Sequence, residues 1–155
     1  MDEASVTIAA APDKVWATVT DITNMGKWSP SNTGGKWTKG ASGPAPGAHF
    51  AAWNKKGVAR WVTHCEVIEC EEPSKFAFQV AENHMQWGWK IAATDDGGTE
   101  LTQWRHRTAM PALPIRMFVK MLWGGIDQLD ANMVDGMRDT LNAIKRDLEA
   151  TPASA

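Results

Sequence analysis

The order of apolar and polar positions divides the chain into three stretches. Residues Glu3 to Ala9 alternate, with Val6 and Ile8 on one side, as a strand requires. Pro12-Asp13 then opens a helix, since proline suits the first turn and an acid suits the positive end of the dipole. Val15, Trp16, Val19 and Ile22 recur along it at helical spacing. A second short turn is expected over Asn24 to Trp28, stopped by Ser29-Pro30.

From Gly34 to Met110 the pattern is β, punctuated by glycine and proline clusters. It predicts strands over 35–39, 48–55, 58–71, 75–81, 84–94 and 99–110. Their short connections require an antiparallel meander. Beyond Pro111 and Pro114 the chain turns helical. Ile126, Leu129, Met133, Met137, Leu141, Ile144 and Leu148 step by three or four and mark one apolar face, while Asp127, Asp130 and Asp135 fall largely off it. That stripe must be covered, and one face of the sheet is the only large apolar partner.

Strand parity then assigns faces. With Lys55 set opposite Val58, one face of the hairpin carries Phe50, Ala52, Asn54, Ala59, Trp61, Thr63, Cys65 and Val67. Phe76, Phe78 and Val80 share a face, as do Met85, Trp87, Trp89 and Ile91. On the last strand the reading puts Thr102, Trp104, His106 and Thr108 inward and Gln103, Arg105 and Arg107 outward. Trp61, Trp87, Trp89 and Trp104 are thereby predicted to converge beneath the long helix.

Composition changes the picture in one respect. Nine tryptophans and eight methionines stand against four phenylalanines and no tyrosine. Rings of that size can fill a solid core. The predicted inward face, however, mixes them with Ala52, Asn54, Thr63, Thr102 and His106, and unpartnered polar groups are costly to bury dry. A pocket that receives a ligand with a polar handle accommodates both. The formal charge of −2 gives no field for nucleic acid, and no apolar run is long enough for a membrane span. A cytoplasmic protein is expected, with no integral membrane association. Cys65 and Cys70, on one strand, lie roughly 16 Å apart, too far to bridge. No metal cluster or phosphate-binding loop is legible.

Several spaced motifs resemble one family. SVTIAAAPDKVWATVTDITNMGKWSP is similar to the first strand, helix pair and Trp-x-Pro of the SRPBCC superfamily (START-like, helix-grip domains). PGAHFAAWNKKGVARW, CEVIECEEPSKFAFQV and DDGGTELTQW look like the central hairpins and last strand of its bacterial polyketide cyclase/dehydrase and lipid transport group. The resemblance runs nearly end to end. It implies an α+β fold, a curved seven-stranded antiparallel sheet around a long C-terminal helix, with two short helices after the first strand and a deep cavity. It implies one domain over residues 1–149 and a disordered tail over 150–155. Function follows only loosely, because relatives carry lipids, bind hormones, cyclise polyketides or assist chaperones.

The expected role is binding or carriage of a hydrophobic small molecule (a lipid, an aromatic or a polyketide-like metabolite), without cofactor or metal, by a monomer or homodimer. Expected contacts are Trp28, Phe50, Asn54, Trp61, Phe78, Trp87, Trp89, Trp104, His106, Met117 and Met121. Met117 and Met121 belong to an apolar stretch, 113–123, that can act as a lid hinged at Gly124-Gly125, or as a segment packed permanently on the sheet. Asn54 can orient a ligand or stabilise its turn. His106 is the one candidate for proton transfer, against the simpler reading of a histidine bonded to backbone or water. The alternative function is a cyclase or dehydratase using that histidine in the same pocket. No inward acid–base pair supports it.

Overall fold

The computed structural model describes residues 1–150. Seven strands form one antiparallel sheet: β1 (Asp2–Ile8), β2 (Asn32–Thr38), β3 (His49–Lys56), β4 (Ala59–Glu71), β5 (Lys75–Val80), β6 (Met85–Ala93) and β7 (Thr99–Arg107). Their order across the sheet is β1-β7-β6-β5-β4-β3-β2, so the meander from β2 to β7 is completed by β1. Helix α1 (Pro12–Val19) and a 3-10 turn (Met25–Lys27) follow β1, and helices α2 (Leu113–Trp123) and α3 (Ile126–Ala150) follow β7. This is the helix-grip arrangement that the sequence resemblance implies. Of the expected tail, 150–155, Ala150 is the last residue of α3, and 151–155 lie outside the described residues.

α3 buries the stripe its periodicity predicts. Met137, Leu141 and Ile144 are buried, while Ile126, Leu129 and Met133 are half-buried. Its C-terminal half packs into a solid core with Val15, Trp16, Phe76, Ile91 and Leu101. Trp16 meets Phe76 edge-on at 6.0 Å. α2 ends at Gly124 (φ 87°) and Gly125 (φ 132°), conformations that side chains rarely tolerate, and there the chain turns into α3.

The β3–β4 hairpin is set two residues further on than expected. Lys56 pairs with Ala59, Asn54 with Trp61 and Phe50 with Cys65, around a loop of Gly57 and Val58. Gly57 takes φ 58° and is thus suited to the first loop position, which the sequence reading had given to Lys56. A slip of two preserves parity, so every face assignment on this hairpin holds.

On β7 the assignment is inverted. Gly88 lies opposite Trp104 and Gln86 opposite His106. Trp87 and Trp89 face α3, so Gly88, Trp104 and the exposed His106 lie on the convex side. The inward residues are Leu101, Gln103, Arg105 and Arg107. The indole of Trp104 lies directly over Gly88, which has no side chain to hold it off. The weight of one tryptophan had outvoted three polar residues, two of which, Arg105 and Arg107, find ionic partners inside.

Candidate functional site

Away from that solid core, sheet and helices border a partly open cavity of about 430 Å³. Its floor is the concave sheet: Phe50 and Ala52 from β3, Trp61, Thr63 and Cys65 from β4, Phe78 and Val80 from β5, and Met85, Trp87 and Trp89 from β6. These are the positions whose strand parity points inward, which is why the floor is legible in sequence. Phe50 and Phe78 meet edge-on at 5.1 Å. The roof is Ile115, Phe118, Val119 and Trp123 of α2, with Ile126, Leu129 and Met133 of α3. Trp61 joins floor to roof, 5.5 Å from Phe118 and 5.6 Å from Trp123, both edge-on.

One wall is polar. Arg105 is 3% exposed; its Nη1 donates to Asp2 Oδ2 at 3.2 Å, and its Nη2 to Asp130 Oδ1 at 2.7 Å. Arg107 donates to the same Asp130 oxygen at 2.6 Å. The Arg105 guanidinium also sits 5.5 Å from the ring centre of Trp87, a cation–π contact. Gln103 and Arg105 each retain one buried polar atom without a hydrogen-bond partner, Oε1 and Nε respectively. Across the cavity, Glu82 accepts from the backbone N–H of His64 and pairs with its ring. Burial pushes the Cys65 thiol up to about 12, so this cavity-lining sulfur is a small apolar surface at neutral pH.

Of the eleven residues expected to contact a ligand, Phe50, Asn54, Trp61, Phe78, Trp87 and Trp89 line the cavity together. Asn54 donates to Thr63 Oγ1 at 3.1 Å and to the Ala52 carbonyl at 3.2 Å. Trp104 and His106 are excluded by the inverted face of β7. Trp28 is half-buried beside the core and donates from Nε1 to Asp147 Oδ2, so it is tied to α3 rather than to the cavity. Met117 and Met121 are 64% and 75% exposed, on the outside of α2. Arg116 and Lys120, one turn apart, mark the outer face of that helix and Met117 and Met121 lie beside them, a signal the expectation passed over; Ile115, Phe118 and Val119 take the inner face. Gln103, Arg105, Arg107 and Asp130 were missed because charged and amide groups are normally solvated. The available signal was Gly88, whose empty position favours a large ring on the neighbouring strand. None of the four histidines lines the cavity, and no His/Cys/Asp/Glu cluster among the described residues can hold a metal ion.

The family described as polyketide cyclase/dehydrase and lipid transport matches residues 3–149, and the chain belongs to it. Zhui aromatase/cyclase from Streptomyces sp. R1128 superposes with a TM-score of 0.75 at 17% identity, covering 99% of this chain and 96% of that one. The Polyketide_cyc-like protein Cgl2372 from Corynebacterium glutamicum is 29% identical, with a TM-score of 0.59 and coverages of 96% and 90%. The di-domain ARO/CYC StfQ from the steffimycin biosynthetic pathway gives 0.69 at 11% identity. There 96% of this chain is covered but only 44% of the other, so this chain spans about half its length. No curated protein matches the chain. No helix of the described residues is long and apolar enough to cross a membrane.

Proposed function

We propose that this protein binds and carries a hydrophobic small molecule in the cavity, as a monomer or homodimer in the cytoplasm. The observation that supports this is the unfilled volume between Trp61, Phe78, Trp87 and Trp89 and the two helices. Apolar cavities of about 150 Å³ already take benzene, and this one is nearly three times larger. A ligand losing roughly 300 Å² of apolar surface gains about 7 kcal/mol before ordering costs. A cyclase or dehydratase acting in the same space would have to work without His106, which is exposed on the convex side.

Native mass spectrometry of protein purified from its own host should show a bound apolar mass that organic solvent removes. Thr63→Phe, which fills the floor, should lose that mass while keeping the native circular dichroism. A folded Thr63→Phe that still carries the full complement of ligand would defeat the proposal.

A further inference from the structure

We propose that the outer face of α2 docks this protein on an anionic lipid surface. At about 100° per residue, Leu113, Arg116, Met117, Lys120 and Met121 fall within one arc of roughly 140°. With Pro114 they are the exposed residues of the helix, whereas the side chains on its other side are half-buried or buried. Leu113, Met117 and Met121 stand four residues apart, and Leu113 is as exposed as Met117, at 64%. Three large apolar side chains left in water along one stripe mark a surface that something covers.

Charge decides what covers it. α2 contains no acidic residue, and the side chains of Arg116 and Lys120 form no ion pair or hydrogen bond among the described residues. A third cation stands at the end of the helix, where Lys56 Nζ lies 5.3 Å from the ring centre of Trp123. The loop just after it carries Val58, which is 99% exposed. An apolar stripe flanked by cations suits the boundary of a bilayer, where leucine and methionine enter the acyl region and lysine and arginine reach the headgroups. The chain as a whole carries −2, so attraction to anionic headgroups must come from this face. A second copy of the chain, related by a two-fold axis, would bring the same cations together. The helix, roughly 16 Å long, lies on such a surface and cannot span it. Docking does not depend on an occupied cavity. For the carrier function proposed above, it lays the roof of the cavity on the lipid, where an apolar ligand can pass without crossing water.

Co-sedimentation with lipid vesicles tests this. The wild-type protein should bind phosphatidylcholine vesicles containing about one-third phosphatidylserine, and pure phosphatidylcholine about tenfold or more weaker. Binding should fall as salt rises from about 0.1 M to about 1 M. Each basic residue near an anionic surface contributes about fivefold, so Arg116→Gln with Lys120→Gln should weaken binding about 25-fold. Met117→Gln with Met121→Gln should weaken it about tenfold, while the circular dichroism and the calorimetric response to naphthalene stay those of the wild type. Equal binding to neutral and anionic vesicles, or wild-type affinity in either double variant, would overturn the docking face. So would a wild-type dimer in sedimentation velocity that Met117→Gln with Met121→Gln dissociates, since a second copy then covers the stripe. Vesicle binding as expected by a wild-type protein that shows no response to naphthalene supports the docking and counts against the cavity function alone.

Discussion

Gly88 and Trp104 offer a test in which the sign alone decides. They are directly paired on the convex face of β6 and β7. A Cβ added at Gly88 would fall 2.1 Å from Trp104 Cε2 and 2.2 Å from Cζ2, where carbon atoms prefer about 3.5–4.0 Å. The indole must therefore shift by roughly 1.5 Å or leave, and overpacking of this kind costs about 1–3 kcal/mol. Alanine also restrains the unfolded chain, which favours folding by about 0.5–1 kcal/mol. Gly88→Ala should consequently lose about 1–2 kcal/mol, seen as a lower urea midpoint at unchanged m-value. Each kcal/mol should lower the thermal midpoint by about 2–4 °C. In a Trp104→Ala background the obstruction is gone, and the same substitution should stabilise by about 0.5 kcal/mol. A double-mutant cycle should return a coupling near 2 kcal/mol. If Gly88→Ala raises the midpoint in the wild-type background, the indole does not lie over Gly88, and the inverted face of β7 fails with it.

Asp130→Ala strips Arg105 and Arg107 of a shared partner. Removing one member of a buried pair costs about 3–5 kcal/mol, reduced here to about 2 because Asp130 is partly exposed and Asp2 remains; equilibrium urea unfolding measures it, and a loss below 0.5 kcal/mol would contradict the pairing. Cys65 should resist iodoacetamide at pH 8 in the folded protein and react on unfolding. Its raised value also sets an alkaline window: the contribution is complete below the ordinary thiol value of 9.0 and disappears as pH rises toward about 12. The folding equilibrium should weaken by about tenfold per pH unit across that window, and Cys65→Ala should flatten the dependence. Met117→Gln with Met121→Gln, on the outer side of α2, should change stability by less than about 0.5 kcal/mol and leave naphthalene affinity as it was; a large loss in calorimetry would put these side chains back over the cavity. Trp61→Ala, which breaks both ring contacts to α2, should raise amide exchange in α2 more than in β5 and speed ligand release.

The features legible in sequence are those where one rule acts unopposed. On α3 the step of three or four runs from Ile126 to Leu148 without a break, so its buried stripe was readable. On β3 and β4 alternation survives even a misplaced turn, because a slip of two leaves each side chain on its own face. β7 was not readable by the same rule: Trp104 and Leu101 fall on opposite parities, and only the partner strand, with its missing side chain at Gly88, resolves the conflict. The polar wall was hidden for a related reason. Asp130 lies beside the α3 stripe and Asp2 lies directly opposite Arg105 on the neighbouring strand β1, so their neutralising effect exists only once β1, β7 and α3 have come together. The cavity is the region where sheet and helices are not packed solid, and a linear pattern records which residues face inward but not whether they touch.

The place of β1 has a consequence for how the chain is made. Among the described residues its only strand partner is β7, and Ser5 waits for Thr102, 97 residues later, to form their 2.7 Å hydrogen bond. At about 5–20 residues per second of synthesis, β1 stays unpaired for roughly five to twenty seconds. During that interval its backbone is an open strand edge of the kind that recruits other chains. The polar side chains Asp2, Glu3, Ser5 and Thr7 stud that edge, and the other three residues of β1, Ala4, Val6 and Ile8, must be kept from other nascent chains until the last strand leaves the ribosome.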